Sequence, residues 1–311
     1  MRLLSTRYLS VSGARAGAVH LPLAALERRT HELPPPHHEV WVLGDAPEAY
    51  HALGWLHARG RRARLAPAPP ADADPNARYR LWEPNEWLQE ALSAPALHLQ
   101  HAREAPSVWS AEAELPRAEA PASALPITRL RARADRRATA AEFQQLTEAS
   151  LKHWRVLDLG CGSGREAVFL ASLGGQVVAV DRLPEALARG RDLQRRYAPD
   201  SPPIEWVCAD LEHADWQPDG GFDAITLFYF LSRALIPRAC AWLNPNGSLL
   251  IEAFTTTHRA RYGKPAADAR VAASGELPRL LPPGMCVVAY SEGWRANGRH
   301  TARLWAVRME G

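Results

Sequence analysis

Val156-Leu157-Asp158-Leu159-Gly160-Cys161-Gly162-Ser163-Gly164 sets a short apolar run against a turn with three glycines. The apolar periodicity that follows predicts a helix over 165–173, so the stretch reads as strand, loop and helix. Glycine in that loop permits a tight turn and lets a ligand approach the backbone, while the helix amides point at it. Outward from this unit the alternation continues: strand 177–180, helix 184–196, strands 204–207 and 224–228, helix 235–243 and strand 248–254. Strands separated by helical crossovers demand a parallel, doubly wound α/β sheet. The end of the chain departs from this, with a helix over 276–281 and strands over 286–290 and 303–308. Two strands without a long crossover between them should run antiparallel.

Asp158 stands just before the first glycine, where a carboxylate repels phosphate and attracts an ammonium. A ligand with an ammonium for Asp158 and a carboxylate for the helix amides matches both ends of this loop. Ser163-Gly164-Arg165-Glu166 fits a capping box, which assigns Ser163 to capping the start of the helix. Strand 177–180 leads into Asp181, about 20 residues beyond the glycines, where an acid accepts hydrogen bonds from ribose hydroxyls. Asp210 ends the next strand and suits the exocyclic amine of adenine. A dinucleotide fold does not require this third acid.

The successive runs VLDLGCGSG, VVAVDR, VCADLE and FDAITLFYFL resemble the motifs of class I S-adenosylmethionine-dependent methyltransferases, over roughly residues 150–311. The resemblance implies a Rossmann-like sheet of order 3-2-1-4-5-7-6 with its last strand antiparallel. It also implies S-adenosyl-L-methionine as cofactor and S-adenosyl-L-homocysteine as product. Carried over by position, Asp158, Gly160, Gly162 and Gly164 hold the methionine end, Asp181 the ribose and Asp210 with Leu211 the adenine, and Cys161, Ser163, Arg182 and Phe228 are expected at the cofactor as well. Gly275-Glu276-Leu277, Tyr290 to Trp294 and His300 to Arg308 are similar to tellurite-resistance and thiol methyltransferases. The Asn/Asp-Pro-Pro-Tyr/Phe motif of many base and amide N-methyltransferases is absent after the fourth strand. The expected acceptor is therefore a small soft nucleophile, a thiol or chalcogen species.

Methyl transfer from a sulfonium is an in-line displacement, which orientation and desolvation of an anionic nucleophile can drive. The residues expected at the acceptor are Tyr229, His258, Arg299 and His300, with Arg233, Arg261 and Arg303 as further candidates. Cys161, Cys208, Cys240 and Cys286 show no zinc-type spacing, and Cys208 and Cys240 read as small packing residues. No metal site is expected.

The whole chain of 311 residues is 47% apolar and 23% charged, the balance of a soluble protein, with a net charge of +3 carried almost wholly by arginine. No apolar run approaches the ~18 residues of a membrane span, and the start lacks a cleavable signal pattern, so a cytoplasmic enzyme without membrane contact is expected. Length favours two domains. Residues 1–110 read as a small α/β domain, 111–138 as an Ala/Pro/Arg linker and 139–311 as the methyltransferase domain, opened by a helix over 139–153. Gly13 to Leu23, the strand around Val40 and the helix after it resemble a rhodanese-like domain. Its nucleophilic cysteine has no counterpart in Gly44-Asp45-Ala46-Pro47, so the resemblance implies a degenerate domain. Trp82 and Trp87 read as core between the domains, with a helix starting at Pro84. The arginines of 129–137 read as a solvated stretch. They leave open an RNA or protein methyltransferase that recruits nucleic acid or another macromolecule through them, and a non-catalytic scaffold that only binds cofactor is the other alternative.

Overall fold

The computed structural model describes residues 3–74, 76–93, 151–213 and 216–310. In the N-terminal part β1 (Leu3–Ser5), β2 (Tyr8–Ser10), β3 (Val19–His20), β4 (Val40–Leu43), α1 (Pro47–Ala58), β5 (Ala63–Ala66), β6 (Arg78–Arg80) and α2 (Glu86–Ser93) follow one another. Four of these strands form a parallel sheet in the order β3-β2-β4-β5, and β1 pairs in parallel with β6. Val40, Val42 and Leu43 are wholly buried, as a parallel strand covered on both faces should be. Helix α2 begins two residues later than expected, because the Asn85 Oδ1 accepts from the amides of Trp87 and Leu88 and so caps it.

The larger unit comprises β7 (Arg155–Leu159), α3 (Arg165–Ser172), β8 (Gln176–Asp181), α4 (Pro184–Tyr197), β9 (Glu205–Cys208), β10 (Phe222–Phe228), α5 (Leu235–Ala241), β11 (Leu243–Phe254), α6 (Thr256–Tyr262), α7 (Glu276–Arg279), β12 (Met285–Trp294) and β13 (His300–Arg308). Its seven strands lie in the order β12-β13-β11-β10-β7-β8-β9. The five strands β7 to β11 are parallel, and β13 runs antiparallel to both its neighbours. A short hairpin without a crossover helix joins β12 to β13, which forces that reversal. The linker 111–138 and the basic run 129–137 lie outside the described residues. So does most of the helix expected over 139–153, whose last three positions form a turn, with His153 at φ 76°.

Helix α2 covers one face of the large sheet. Leu88 and Leu92 line a small apolar cavity together with Val156, Ala224, Leu250 and Trp305. Trp82 is fully buried edge-on to Tyr197 at 5.8 Å, and the Trp87 indole donates to the Leu304 carbonyl at 3.3 Å. Burial of each such side chain contributes about 1.5–3 kcal/mol. Beside them Arg303 pairs with Glu252 at 3.0 Å and with Glu86 and Glu90 from α2. Residues 81–91 thus share one core with the sheet. Among the described residues no helix is long and apolar enough to cross a membrane, and no group of His, Cys, Asp and Glu could hold a metal ion.

Candidate active site

The carboxyl ends of β7, β8, β9 and β10 share one edge of the sheet, where open α/β sheets bind ligands. All three loop glycines are left-handed, with φ of 71° at Gly160, 54° at Gly162 and 72° at Gly164. The amides of Gly160 and Cys161 both donate to the Val180 carbonyl, which hooks the loop onto β8. The three positions have different surroundings. A Cβ on Gly160 would meet the Phe230 ring at 2.8 Å, one on Gly164 would overlap the Trp206 indole, and one on Gly162 would meet nothing within 4 Å. Gly164 serves close packing of helix on strand, and Gly162 faces open space. The expected capping box does not form. Gly164 is the N-cap of α3 and receives no side-chain bond, while Glu166 turns away to accept from the Asn85 amide at 3.0 Å. The left-handed Gly164 directs the chain so that Ser163 does not cap the helix.

Asp158 is buried and accepts from the Thr226 hydroxyl at 2.9 Å through Oδ1. Its Oδ2 has no hydrogen-bond partner among the described residues. Burial, reinforced by the nearby Glu166, pushes the Asp158 carboxyl up to about 8. An orphaned acceptor of this kind is what an ammonium would satisfy. Asp181 accepts from the Gly162 amide at 2.8 Å with one oxygen and from the Leu183 amide at 2.9 Å with the other. Asp210 accepts from the Glu212 amide and lies 3.3 Å from the His213 ring, and this amide bond, ahead of the histidine, holds its carboxyl below the usual range. Leu211 is buried, whereas Arg182 is exposed. Leu183 was not anticipated. It is an exposed leucine directly after the second acid, and its signal in the sequence was apolar character at the start of a helix otherwise polar outward.

Beyond β10 the structure gathers the acceptor-side candidates. Phe228 is buried, and Tyr229 follows it in a left-handed conformation at φ 58°, its amide bonded to the Glu252 carbonyl. The Arg299 guanidinium lies 4.7 Å over the Tyr229 ring and 5.7 Å over Phe254. His258 stacks on Phe254 at 4.5 Å, and its Nδ1 accepts from the His300 amide at 3.2 Å. The His300 ring bonds the Thr255 hydroxyl at 2.7 Å. Burial, ahead of neighbouring charges, holds both imidazoles below the usual histidine range and raises the Tyr229 phenol. Tyr229, His258, Arg299 and His300 therefore form one cluster. Arg261 lies at its rim over Tyr262 and Trp294. Arg233 is engaged by Glu276 and two carbonyls, and Arg303 by three carboxylates, so neither is free for an acceptor. Cys161 and Cys240 are buried with their thiols raised by desolvation, Cys240 to about 12. Cys208 is exposed rather than packed, because it closes the edge strand β9.

Residues 156–247 match the family described as a methyltransferase domain. The ubiquinone biosynthesis O-methyltransferase of Xanthomonas campestris pv. campestris (strain B100) is 35% identical over 138 residues, 42% of this chain and 53% of that protein. The chain thus spans about half the length of the curated relatives it matches. Among solved structures, TehB from Haemophilus influenzae overlaps at a TM-score of 0.43 with 22% identity, covering 55% of this chain and 62% of that one. The N-methyltransferase NodS from Bradyrhizobium japonicum WM9, in complex with S-adenosyl-L-homocysteine, overlaps at 0.42 with 19% identity, covering 57% and 90%. Residues 156–247 of this chain thus carry a methyltransferase domain.

Proposed function

We propose that the chain transfers a methyl group from S-adenosylmethionine to a small-molecule acceptor whose attacking atom is a thiolate, a chalcogen oxyanion or another anionic heteroatom. The observation that carries this reading is the row of Asp158, Asp181 and Asp210 on three successive strand ends around the open face of Gly162. In it Asp158 takes the ammonium of the cofactor, the amides opening α3 take its carboxylate, Asp181 accepts from the ribose hydroxyls, and Asp210 with the exposed Leu183 receives adenine. Arg182, Leu211 and Phe228 frame these contacts. When bound, the cofactor supplies an electrophilic methyl on a sulfonium, so the chain has to position and desolvate a nucleophile.

Arg299 over Tyr229 offers a fixed positive charge to an anionic nucleophile. Neutral His300 can accept a proton from an acceptor that arrives protonated, whereas the basic Nδ1 of His258 is already taken by the His300 amide. The Xanthomonas relatives are named O-methyltransferases, which favours oxygen as one acceptor atom to test. The N-terminal part is read as a rhodanese-like unit with a structural or substrate-side role. Its parallel sheet suits that reading, and the first cysteine of the chain is Cys161.

The test is a calorimetric titration of S-adenosylhomocysteine into cofactor-free protein, followed by transfer of labelled methyl to thiols, selenite, tellurite and phenols. Micromolar binding with label on any of these acceptors supports the reading, and absence of binding removes it.

A further inference from the structure

Residues 31–38, His-Glu-Leu-Pro-Pro-Pro-His-His, lie in the N-terminal part, and three consecutive prolines fix their backbone. Two arginines hold this loop. Arg165, the first residue of α3, donates to the His31 carbonyl through Nε at 2.8 Å, and Arg61 donates to the Pro34 carbonyl at 2.6 Å. Carbonyl oxygens carry no formal charge. Among the described residues no carboxylate lies within ion-pair distance of Arg61, Arg165 or Arg299. Glu166, beside Arg165, is turned to the Asn85 amide, and burial favours its neutral form. Glu32 is already shared among Arg29, Arg196 and Tyr197.

Burial lowers Arg165 most, Glu166 opposes this and Arg299 adds to it, while Arg61 is lowered by burial and then by Arg165. Burial and then Arg299 act likewise on His37. The buried Nε2 of His31 has no hydrogen-bond partner among the described residues. All these side chains are half-buried. Arg165 opens the helix behind the cofactor loop, and Arg299 stacks on Tyr229 at the acceptor side.

We infer that loop 31–38 and Arg61, Arg165 and Arg299 form a binding site for an anionic oxygen group, carboxylate or phosphate, carried by the methyl acceptor. The inference rests on the methyltransferase reading above. Through this site the N-terminal part selects acids among the acceptors. Arginine suits such selection because its planar donors meet two oxygens at once and it stays charged when partly desolvated.

The experiment titrates benzoate, inorganic phosphate and the neutral control benzyl alcohol into the full chain, without and with saturating S-adenosylhomocysteine, using wild type, Arg61→Gln and Arg61→Lys. The expected result is that benzoate or phosphate binds at least about tenfold tighter than benzyl alcohol. Arg61→Gln should lose most of that preference and Arg61→Lys should keep much of it. A benzoate preference marks a carboxylate and a phosphate preference a phosphate ester, and either supports the site. Equal binding of benzyl alcohol and the anions overturns it while leaving the methyltransferase reading intact. Anion binding that disappears once S-adenosylhomocysteine is present assigns the arginines to the cofactor and overturns it as well. If S-adenosylhomocysteine itself does not bind, both readings fall.

Discussion

The Gly162 amide donates to the Asp181 carboxylate at 2.8 Å, so the open turn of the glycine loop is fastened to the end of the neighbouring strand by one acid. The other oxygen of Asp181 receives the Leu183 amide at the start of α4. One side chain thus sets the loop and the helix start together, at the position proposed to accept the ribose hydroxyls. Asp181→Ala is expected to weaken S-adenosylhomocysteine binding roughly 10- to 100-fold, the loss of about 1.5–3 kcal/mol from hydrogen bonds to a charged group. Its melting temperature should fall by a few degrees. Calorimetry on folded variant checks this, and unchanged affinity would remove Asp181 from the site.

Two alanine substitutions in one loop should separate packing from binding. Gly164→Ala puts a Cβ into the Trp206 indole at a left-handed residue, so a stability loss of about 2–4 kcal/mol is expected from overpacking and strain together. Gly162→Ala meets open space at φ 54° and should cost only about 1–2 kcal/mol of backbone strain. Its larger effect should be on cofactor affinity, because the added methyl occupies the face proposed for the ligand. Denaturant unfolding and S-adenosylhomocysteine titration on both variants read the contrast. A Gly162→Ala protein that binds like wild type would show that the ligand approaches elsewhere.

The parallel core was legible because each strand from Val156 to Phe254 is an apolar run ended by an acid or a turn. The reversal of the last two strands followed from the lack of a crossover between them. The acid row was legible for the same reason, since strand ends announce themselves in composition. Three features were not. Ser163 looked like a cap by spacing alone, and nothing in the sequence shows that Gly164 takes a left-handed conformation and becomes the N-cap itself. Arg303 and Arg233 looked like free cations, because their partners Glu86, Glu90, Glu252 and Glu276 lie tens to hundreds of residues away. The packing of α2 on the methyltransferase sheet was hinted at by Trp82 and Trp87, but the apolar face of Trp87, Leu88, Ala91 and Leu92 does not say which surface a two-turn helix covers.

Cofactor affinity should depend on pH through Asp158. Its folded-state carboxyl is pushed up to about 8 by burial, above the ordinary aspartate value near 3.9. The folded chain therefore holds a proton that the unfolded chain releases, and stability of the cofactor-free protein from this group declines as pH rises from about 4 to 8. An ammonium beside Asp158 favours the ionised form, so binding below pH 8 must expel the proton. S-adenosylhomocysteine affinity is expected to rise with pH between about 6 and 8, by at most about tenfold per unit. Titrations in buffers of different ionisation enthalpy should show proton release at pH 6.5, and Asp158→Asn should abolish both the release and the slope. A flat profile in wild type would separate Asp158 from the ammonium.

Arg303 ties the N-terminal helix to the sheet edge that carries Tyr229. Its guanidinium bonds the fully buried Glu252 at 3.0 Å and reaches Glu86 and Glu90 on α2, while Glu252 also receives the Thr301 hydroxyl and the Asn85 amide group. Arg303→Met keeps most of the side-chain volume and removes the charge, leaving Glu252 buried without its cation. A loss of about 3–5 kcal/mol is expected, the scale for breaking one side of a buried pair. Adding Glu252→Gln to Arg303→Met should recover a large part of it, because the stranded charge rather than the lost contact carries the cost. Because the Tyr229 amide bonds the Glu252 carbonyl, the single variant should also lower methyl-transfer kcat/KM more than it weakens S-adenosylhomocysteine binding. Unfolding and transfer assays on the single and double variants check both parts, and a single variant as stable as wild type would mean that the network contributes nothing to holding α2 on the sheet.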